Sequence, residues 1–268
     1  MADPKRSVAI PRPAATVVIL RDGREGVEVF MVVRHHEIDF ASGALVFPGG
    51  KVDEADADPA WGELAPSAAA APDRAFMVAA ARETFEEAGL VLARRGDGAN
   101  MVGAEEAHRL VEAYRTPLVS GDTTFFELVR SEGLRLAADL MVPFAHWITP
   151  ESQPKRFDTH FLLVSAPVEQ LGAHDGSESV EGFWIAPRQA LRDADAGTRT
   201  LLFPTHMNLL KLARYASVAE AVAVARTTPV VAVMPRVERT ATGRVLRIPA
   251  DAGYGVTEYF VPMPAPKG

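Results

Sequence analysis

The chain has 268 residues, 48% apolar and 24% charged, with no cysteine. That is ample length to bury a core, and the balance excludes collagen-like, disordered and disulfide-stapled classes. Thiolate catalysis and thiolate zinc sites are excluded with the cysteine, which suits a reducing compartment. Acidic side chains number 35 against 28 Lys and Arg, a formal charge of −7; such a surface repels a phosphate backbone, so nucleic acid is not an expected partner. No run approaches the ~20 apolar residues of a membrane span. Pro11 and Pro13 break any signal-peptide core after Lys5 and Arg6, so a cytoplasmic protein with no membrane partner is expected.

Residues 14–20 and 28–33 are β-branched and apolar and flank Asp22-Gly23-Arg24-Glu25-Gly26, which predicts an antiparallel hairpin. Residues 44–47 lead into Pro48-Gly49-Gly50, where no regular element can continue. Residues 55–73 are rich in Ala, Pro and Asp without periodicity and predict an exposed insertion. A helix is expected over 74–89, closed by a left-handed cap at Gly89. Short helices follow at 104–115 and 123–132, strands at 157–164 and 180–185, a helix opening at Pro187–Arg192, and two helical pieces within 205–226. From Pro229 the pattern returns to strands, with Thr242-Gly243 as a hairpin turn. No repeat or linker interrupts residues 1–268, so a single domain is expected, with a core over about 14–215 and a C-terminal extension over about 229–268. The irregular mixture of strands and helices predicts an α+β fold with a mixed sheet.

The chemistry is concentrated in Arg82-Glu83-Thr84-Phe85-Glu86-Glu87-Ala88-Gly89-Leu90. At ~100° per residue, Glu83, Glu86 and Glu87 share one narrow helical stripe, while Met77, Val78, Ala81, Phe85 and Ala88 form an apolar face. Like charges at these spacings cost a few tenths of a kcal/mol per pair, roughly. A hard divalent cation reverses that penalty, because it prefers carboxylate oxygens. A solvated acidic face is the blander reading, but Phe47-Pro48-Gly49-Gly50 upstream adds a turn whose backbone can approach a metal or phosphate closely.

Gly50 followed by Arg82–Leu90 resembles the Nudix box, the diphosphate-hydrolase motif G-x5-E-x7-R-E-U-x-E-E-x-G-U. Thr84 stands at a position usually apolar. Gly50 and Arg82 are 32 positions apart where the motif has 14, so the box carries 18 extra residues. The motif's first acidic position falls on Asp56 when counted from Gly50 and on Arg74 when counted back from Arg82, so that acid is expected to be missing or displaced. The split box resembles the branch that includes the mammalian peroxisomal coenzyme A diphosphatases. Arg34 with Gly43-x-x-x-Phe47-Pro48-Gly49-Gly50 is similar to part of the coenzyme A-recognition motif of that branch, with Asp39 where the motif has a second arginine. Trp147–Pro150 and Arg156–Thr159 resemble further segments of it.

The resemblance implies a Nudix-like α/β/α sandwich with an insertion inside the box. It implies Mg²⁺ or Mn²⁺ held by Glu83, Glu86 and Glu87 with the Gly50 backbone, Arg82 orienting Glu83, and Glu83 or an acid off the helix as general base. Glu178 and Glu181 are candidates for an extra ligand or base, with surface acids as the blander reading. Arg34, Gly43, Gly49 and Arg156 are candidates to contact substrate, against an ion pair for Arg34 and a solvated basic pair for Lys155 and Arg156. His35 and His36 are not expected to bind metal, since neighbours on a strand face opposite ways and Mg²⁺ disfavours imidazole. Trp147, Trp184, Phe157 and Phe161 fit a core better than an adenine stack.

The implied activity is cleavage of coenzyme A or acyl-coenzyme A into 4′-phosphopantetheine products and adenosine 3′,5′-bisphosphate. The alternatives are a hydrolase of ADP-ribose or another nucleoside diphosphate derivative, and a metabolite-binding module without catalysis. The expected partner is a small-molecule diphosphate. The insertion is open to three roles: a gating loop, a homodimer contact, or a passive excursion.

Overall fold

The first strand already requires three layers. In β1 (Arg12–Gly23), Ala15, Val17 and Ile19 belong to one buried cluster, while Val18 and Leu20 belong to another. Successive side chains on a strand point to opposite faces, so both faces of this one are covered. A computed structural model shows how; it describes residues 8–33, 43–66, 71–167, 170 and 182–262. Arg34, His35, His36, Asp39, Glu178 and Glu181 lie outside the described residues.

In chain order, β1 is followed by β2 (Gly26–Val33), β3 (Ala44–Val46), β4 (Gly49–Lys51), a 3₁₀ turn at Glu54–Ala57, α1 (Trp61–Leu64) and α2 (Ala71–Ala88). Next come β5 (Ala93–Arg95), α3 (Ala104–Ser120), α4 (Phe125–Ser131), β6 (Leu134–Leu136), β7 (Val142–Ile148) and β8 (Phe157–Ser165). Then follow β9 (Gly182–Ile185), α5 (Pro187–Asp195), β10 (Thr200–Leu201), α6 (Phe203–Leu212) and α7 (Val218–Thr227). The last strands are β11 (Ala232–Val233), β12 (Arg236–Arg239), β13 (Gly243–Arg247) and β14 (Glu258–Pro262).

The main sheet runs β10-β3-β2-β1-β8-β7-β11, with β4 also against β1 and β9 against β2. The expected hairpin is present, with Gly23 opposite Gly26. β1 is parallel to β8, whereas β7 and β8 are antiparallel, so the sheet is mixed. On one face, Met77, Val78, Ala81, Phe85 and Ala88 of α2 pack with Ala15, Val17 and Ile19. On the other, Met207, Leu209 and Leu212 of α6 and Val218 and Ala221 of α7 pack with Val18, Leu20 and Met31. The expected α+β sandwich is therefore the fold. Gly89 takes φ +64° and its N–H donates to the Phe85 carbonyl, ending α2 where expected. None of the described helices is long and apolar enough to cross a membrane.

One expectation needs correction. The insertion is not simply exposed: Trp61 is 2% exposed, its Nε1 donates to the Ala55 carbonyl at 2.9 Å, and its ring packs against Phe125 and Phe126 of α4. A single large aromatic ring supplies enough buried area to anchor a segment that has no apolar periodicity. Thr84, at a usually apolar position, is fully buried and satisfies its hydroxyl on the Ala80 carbonyl at 2.7 Å, so the helix absorbs the change. The extension is docked as well. Trp147 Nε1 donates to the Tyr254 hydroxyl at 2.8 Å, and that hydroxyl donates to Asn208 Oδ1 at 2.9 Å.

Replacing Trp61 with alanine is expected to cost about 3–5 kcal/mol of stability in chemical denaturation. A loss below about 1 kcal/mol, the size of an ordinary surface change, would mean that the insertion is not anchored by this ring.

Candidate active site

α2 and β4 meet edge to helix. β4 lies antiparallel on β1 with Gly50 opposite Ala15 and Gly49 opposite Thr16. Both glycines are required by close approach. A Cβ on Gly49 would stand 2.4 Å from the Ala15 carbonyl oxygen, and one on Gly50 would stand 2.3 Å from Glu83 Oε1. Through this gap the Gly49 N–H donates to Glu87 Oε2 at 2.9 Å. The Pro48-Gly49-Gly50 turn thus brings backbone against the carboxylate stripe.

Arg82 is the cation inside this acidic group, with a side chain 11% exposed. Its Nε donates to Asp56 Oδ1 at 3.1 Å and its Nη2 to Asp56 Oδ2 at 2.9 Å, a bidentate pair. Nη2 also donates to the Lys51 carbonyl at 2.9 Å. Nη1 donates to Glu83 Oε1 at 2.9 Å and, more weakly, to Glu86 Oε2 at 3.5 Å. Burial acts to lower the Arg82 pKa, but the hydrogen bond and charge of Asp56, with the charges of Glu83 and Glu86, outweigh it and hold the guanidinium ionised. The glutamates feel the reverse balance. Burial pushes the Glu83 and Glu86 carboxyls above their ordinary range, and Arg82 only partly offsets it.

Asp56 resolves the acid expected to be missing or displaced. It is 3% exposed, occupies the position reached by counting forward from Gly50, and also accepts the Asp53 N–H at 2.9 Å. The extra residues therefore enter the box after this acid, not before it. The count from Gly50 was the informative signal, masked by the shorter side chain and by the competing count from Arg82. Arg115 had no sequence signal. From α3 it donates to the Glu86 carbonyl at 2.7 Å and the Glu87 carbonyl at 3.3 Å, satisfying carbonyls at the end of α2 where a cation is favourable.

Arg156 is not a solvated cation. It is 7% exposed and donates to the Thr149 carbonyl at 2.9 Å and the Ala9 carbonyl at 2.8 Å, tying the β7–β8 loop to the N-terminal segment. A guanidinium engaged in this way is committed to the fold, because buried donors left unpaired would be costly. Gly43 takes φ +74° in the turn entering β3, which pairs with the end of β2. Trp147 and Phe161 are core residues, and Trp184 packs edge-on against Phe30, as expected.

The site fits a hard divalent cation. Asp56, Glu83 and Glu86 share the Arg82 guanidinium, while Glu87 accepts from the Gly49 N–H and acts on the charge of Arg115, so the carboxylates outnumber these two cations. The donors are all oxygen, and the absence of a Cβ at Gly50 lets the Glu83 carboxylate lie directly against the backbone. Mg²⁺ prefers a few carboxylates and retains several waters, which such a half-open stripe allows.

Comparison with known proteins gives concordant results. The family profile described as NUDT19 Nudix domain matches residues 67–212. A Caenorhabditis elegans protein whose name assigns it to the nudix hydrolases (nudix hydrolase 7) is 29% identical over 69% of this chain and 56% of its own. The "Acyl-coenzyme A diphosphatase NUDT19" of Gallus gallus is 24% identical over 71% of this chain and 62% of its own. The chain thus spans about three fifths of the length of these relatives. The crystal structure of a NUDIX hydrolase from Alicyclobacillus acidocaldarius superposes with a TM-score of 0.64 at 27% identity, covering 83% of this chain and 100% of that one.

Replacing Asp56 with alanine would leave Arg82 buried without its bidentate partner. The expected cost is about 1.5–3 kcal/mol in chemical denaturation, the range for losing hydrogen bonds to a charged group that keeps its other partners. A loss under about 1 kcal/mol, typical of an exposed pair, would show that Asp56 does not hold Arg82.

Proposed function

This chain belongs to the Nudix hydrolase family, and from that premise we propose that it hydrolyses a diphosphate linkage with Mg²⁺ or Mn²⁺, its substrate being coenzyme A or an acyl-coenzyme A. The observation that carries the hydrolytic reading is the stripe of Glu83, Glu86 and Glu87 set against the Gly49-Gly50 backbone, with Arg82 held between the carboxylates. The substrate reading is supported by the name of the Gallus gallus relative and by the partial coenzyme A motif around Gly43 and Phe47–Gly50.

When bound, the cation neutralises phosphate charge and lowers the pKa of water. The protein's own groups do the rest. Glu83, Glu86 and Glu87 hold the cation, and the Gly49 N–H orients Glu87. Arg82 is a positioning residue: its donors are occupied by Asp56, Lys51, Glu83 and Glu86 rather than turned to substrate. Water attacks phosphorus, one P–O bond of the diphosphate breaks, and the water proton passes to a carboxylate. Glu83 is the proposed acceptor. Arg34, Gly43 and Gly49 are proposed to contact substrate, and Glu178 or Glu181 to supply a further ligand or base. The products would be 4′-phosphopantetheine, or its acyl form, and adenosine 3′,5′-bisphosphate. A cysteine-free chain suits a reducing compartment, and the cytoplasm is the proposed one.

The test is product release from coenzyme A, acetyl-coenzyme A and ADP-ribose with Mg²⁺, Mn²⁺ or chelator. Cleavage of the two coenzyme A compounds that stops in chelator is expected. Glu86→Gln should lower kcat at least about 100-fold, equivalent to roughly 2.7 kcal/mol. Turnover of ADP-ribose alone would overturn the substrate reading, and no turnover of any of the three would overturn the hydrolytic one.

A further inference from the structure

A second group of ligand-type side chains lies apart from the carboxylate stripe. His146 on β7 stands directly opposite His160 on β8, and Asp158 precedes His160 by two residues on the same strand. Period-two alternation turns Asp158 and His160 to one face, and the cross-strand pairing brings His146 to the same face. That face is the one covered by α2: Leu162 and Val164 join the α2 cluster, whereas Phe161 and Leu163 join the opposite one. Phe76 of α2 stacks on the His160 ring at 4.0 Å.

The three side chains converge. The two imidazole centroids are 4.1 Å apart, and His146 Nε2 contacts Asp158 Oδ1. One ring nitrogen from each histidine and one Asp158 oxygen lie within 4.8 Å of one another, and among the described residues no other trio of His, Asp and Glu meets that condition. The side chains of His146 and Asp158 are 20% and 35% exposed, so water can reach the group.

We propose that His146, Asp158 and His160 form a second metal site, one that takes a borderline divalent ion of the Zn²⁺ class. Two imidazoles and a carboxylate with an open fourth position are a donor set that Zn²⁺, Co²⁺ and Ni²⁺ favour, and that hard Mg²⁺ does not. Binding requires small side-chain rotations that bring the nitrogens to about 2.0–2.1 Å from the ion. The ligating imidazole nitrogens must be unprotonated, so ion binding would release any proton they carry. Stacking on Phe76 limits the orientations His160 can take and so prepares it as a ligand.

The site shares no ligand with the carboxylate stripe, yet it lies on the same face. Ala15 is in register with Gly50 on one side and His160 on the other, so Gly50 and His160 are two strand spacings apart, about 10 Å. The proposal does not depend on the chain being a hydrolase, and its test reads metal binding rather than turnover.

The test is titration of the tag-free chain with Co²⁺ in excess Mg²⁺, followed by visible d–d absorption and by competition with Zn²⁺. Uptake of a single equivalent with imidazole-type bands, displaced by Zn²⁺, is expected. His146→Ala and His160→Gln should each weaken Co²⁺ binding at least about 100-fold, the upper end of what losing even a supporting group costs. Glu86→Gln should leave the spectrum unchanged. Circular dichroism checks that each variant folds, and Asp158→Asn, an isosteric change, replaces any that does not; it too should weaken binding. Unaltered Co²⁺ binding in the folded histidine variants or in Asp158→Asn, loss of the bands in Glu86→Gln, or no uptake in excess Mg²⁺ would each overturn the proposal.

Discussion

Everything at the candidate active site hangs on one guanidinium. Arg82 gathers Asp56 and the Lys51 carbonyl from the segment after β4, and Glu83 and Glu86 from its own helix. The bidentate half of this arrangement sets direction as well as attraction, because a planar fork meets a carboxylate in few ways. Arg82 therefore fixes the 3₁₀ turn and the glycine strand relative to α2. It also splits the acids by role. Asp56 is deeply buried and committed to Arg82, while Glu83, Glu86 and Glu87 remain on the stripe where a cation can reach them.

The arrangement also explains why the site asks for a cation. Two guanidinium charges, Arg82 and Arg115, do not balance four carboxylates, and burial raises the proton affinity of Glu83 and Glu86. A divalent ion relieves that imbalance directly. The glycines make the approach possible, and the sheet makes it durable. β4 lies on β1, which is buried on both faces, so the backbone beside the carboxylates is attached to a strand enclosed on both sides.

Local signals were legible in the sequence because their causes are local. The β1–β2 hairpin follows from β-branched runs around a glycine turn, and the end of α2 follows from Gly89 in a left-handed conformation. The stripe of Glu83, Glu86 and Glu87 follows from helical spacing. What escaped depends on contacts across the fold. Asp56 could be placed only by seeing which residue Arg82 reaches. Trp61 sits in a segment with no periodicity, and its burial is decided by Phe125 and Phe126 of α4. Arg115 caps α2 from a different helix, and Arg156 is buried by carbonyls of residues 9 and 149. His146 and His160 become neighbours only once β7 and β8 are in register; neither has a ligand-like neighbour in its own segment apart from Asp158.

The central claim is that a divalent cation sits between the Gly49-Gly50 backbone and the three glutamates that Arg82 and the Gly49 N–H arrange. Anomalous diffraction from crystals of the chain grown with Mn²⁺ tests it most directly. The account predicts a Mn²⁺ peak bound by oxygens of Glu83, Glu86 and Glu87, with Arg82 still paired to Asp56. Mn²⁺ bound elsewhere with this stripe empty, or Arg82 turned out of the cluster, would contradict it.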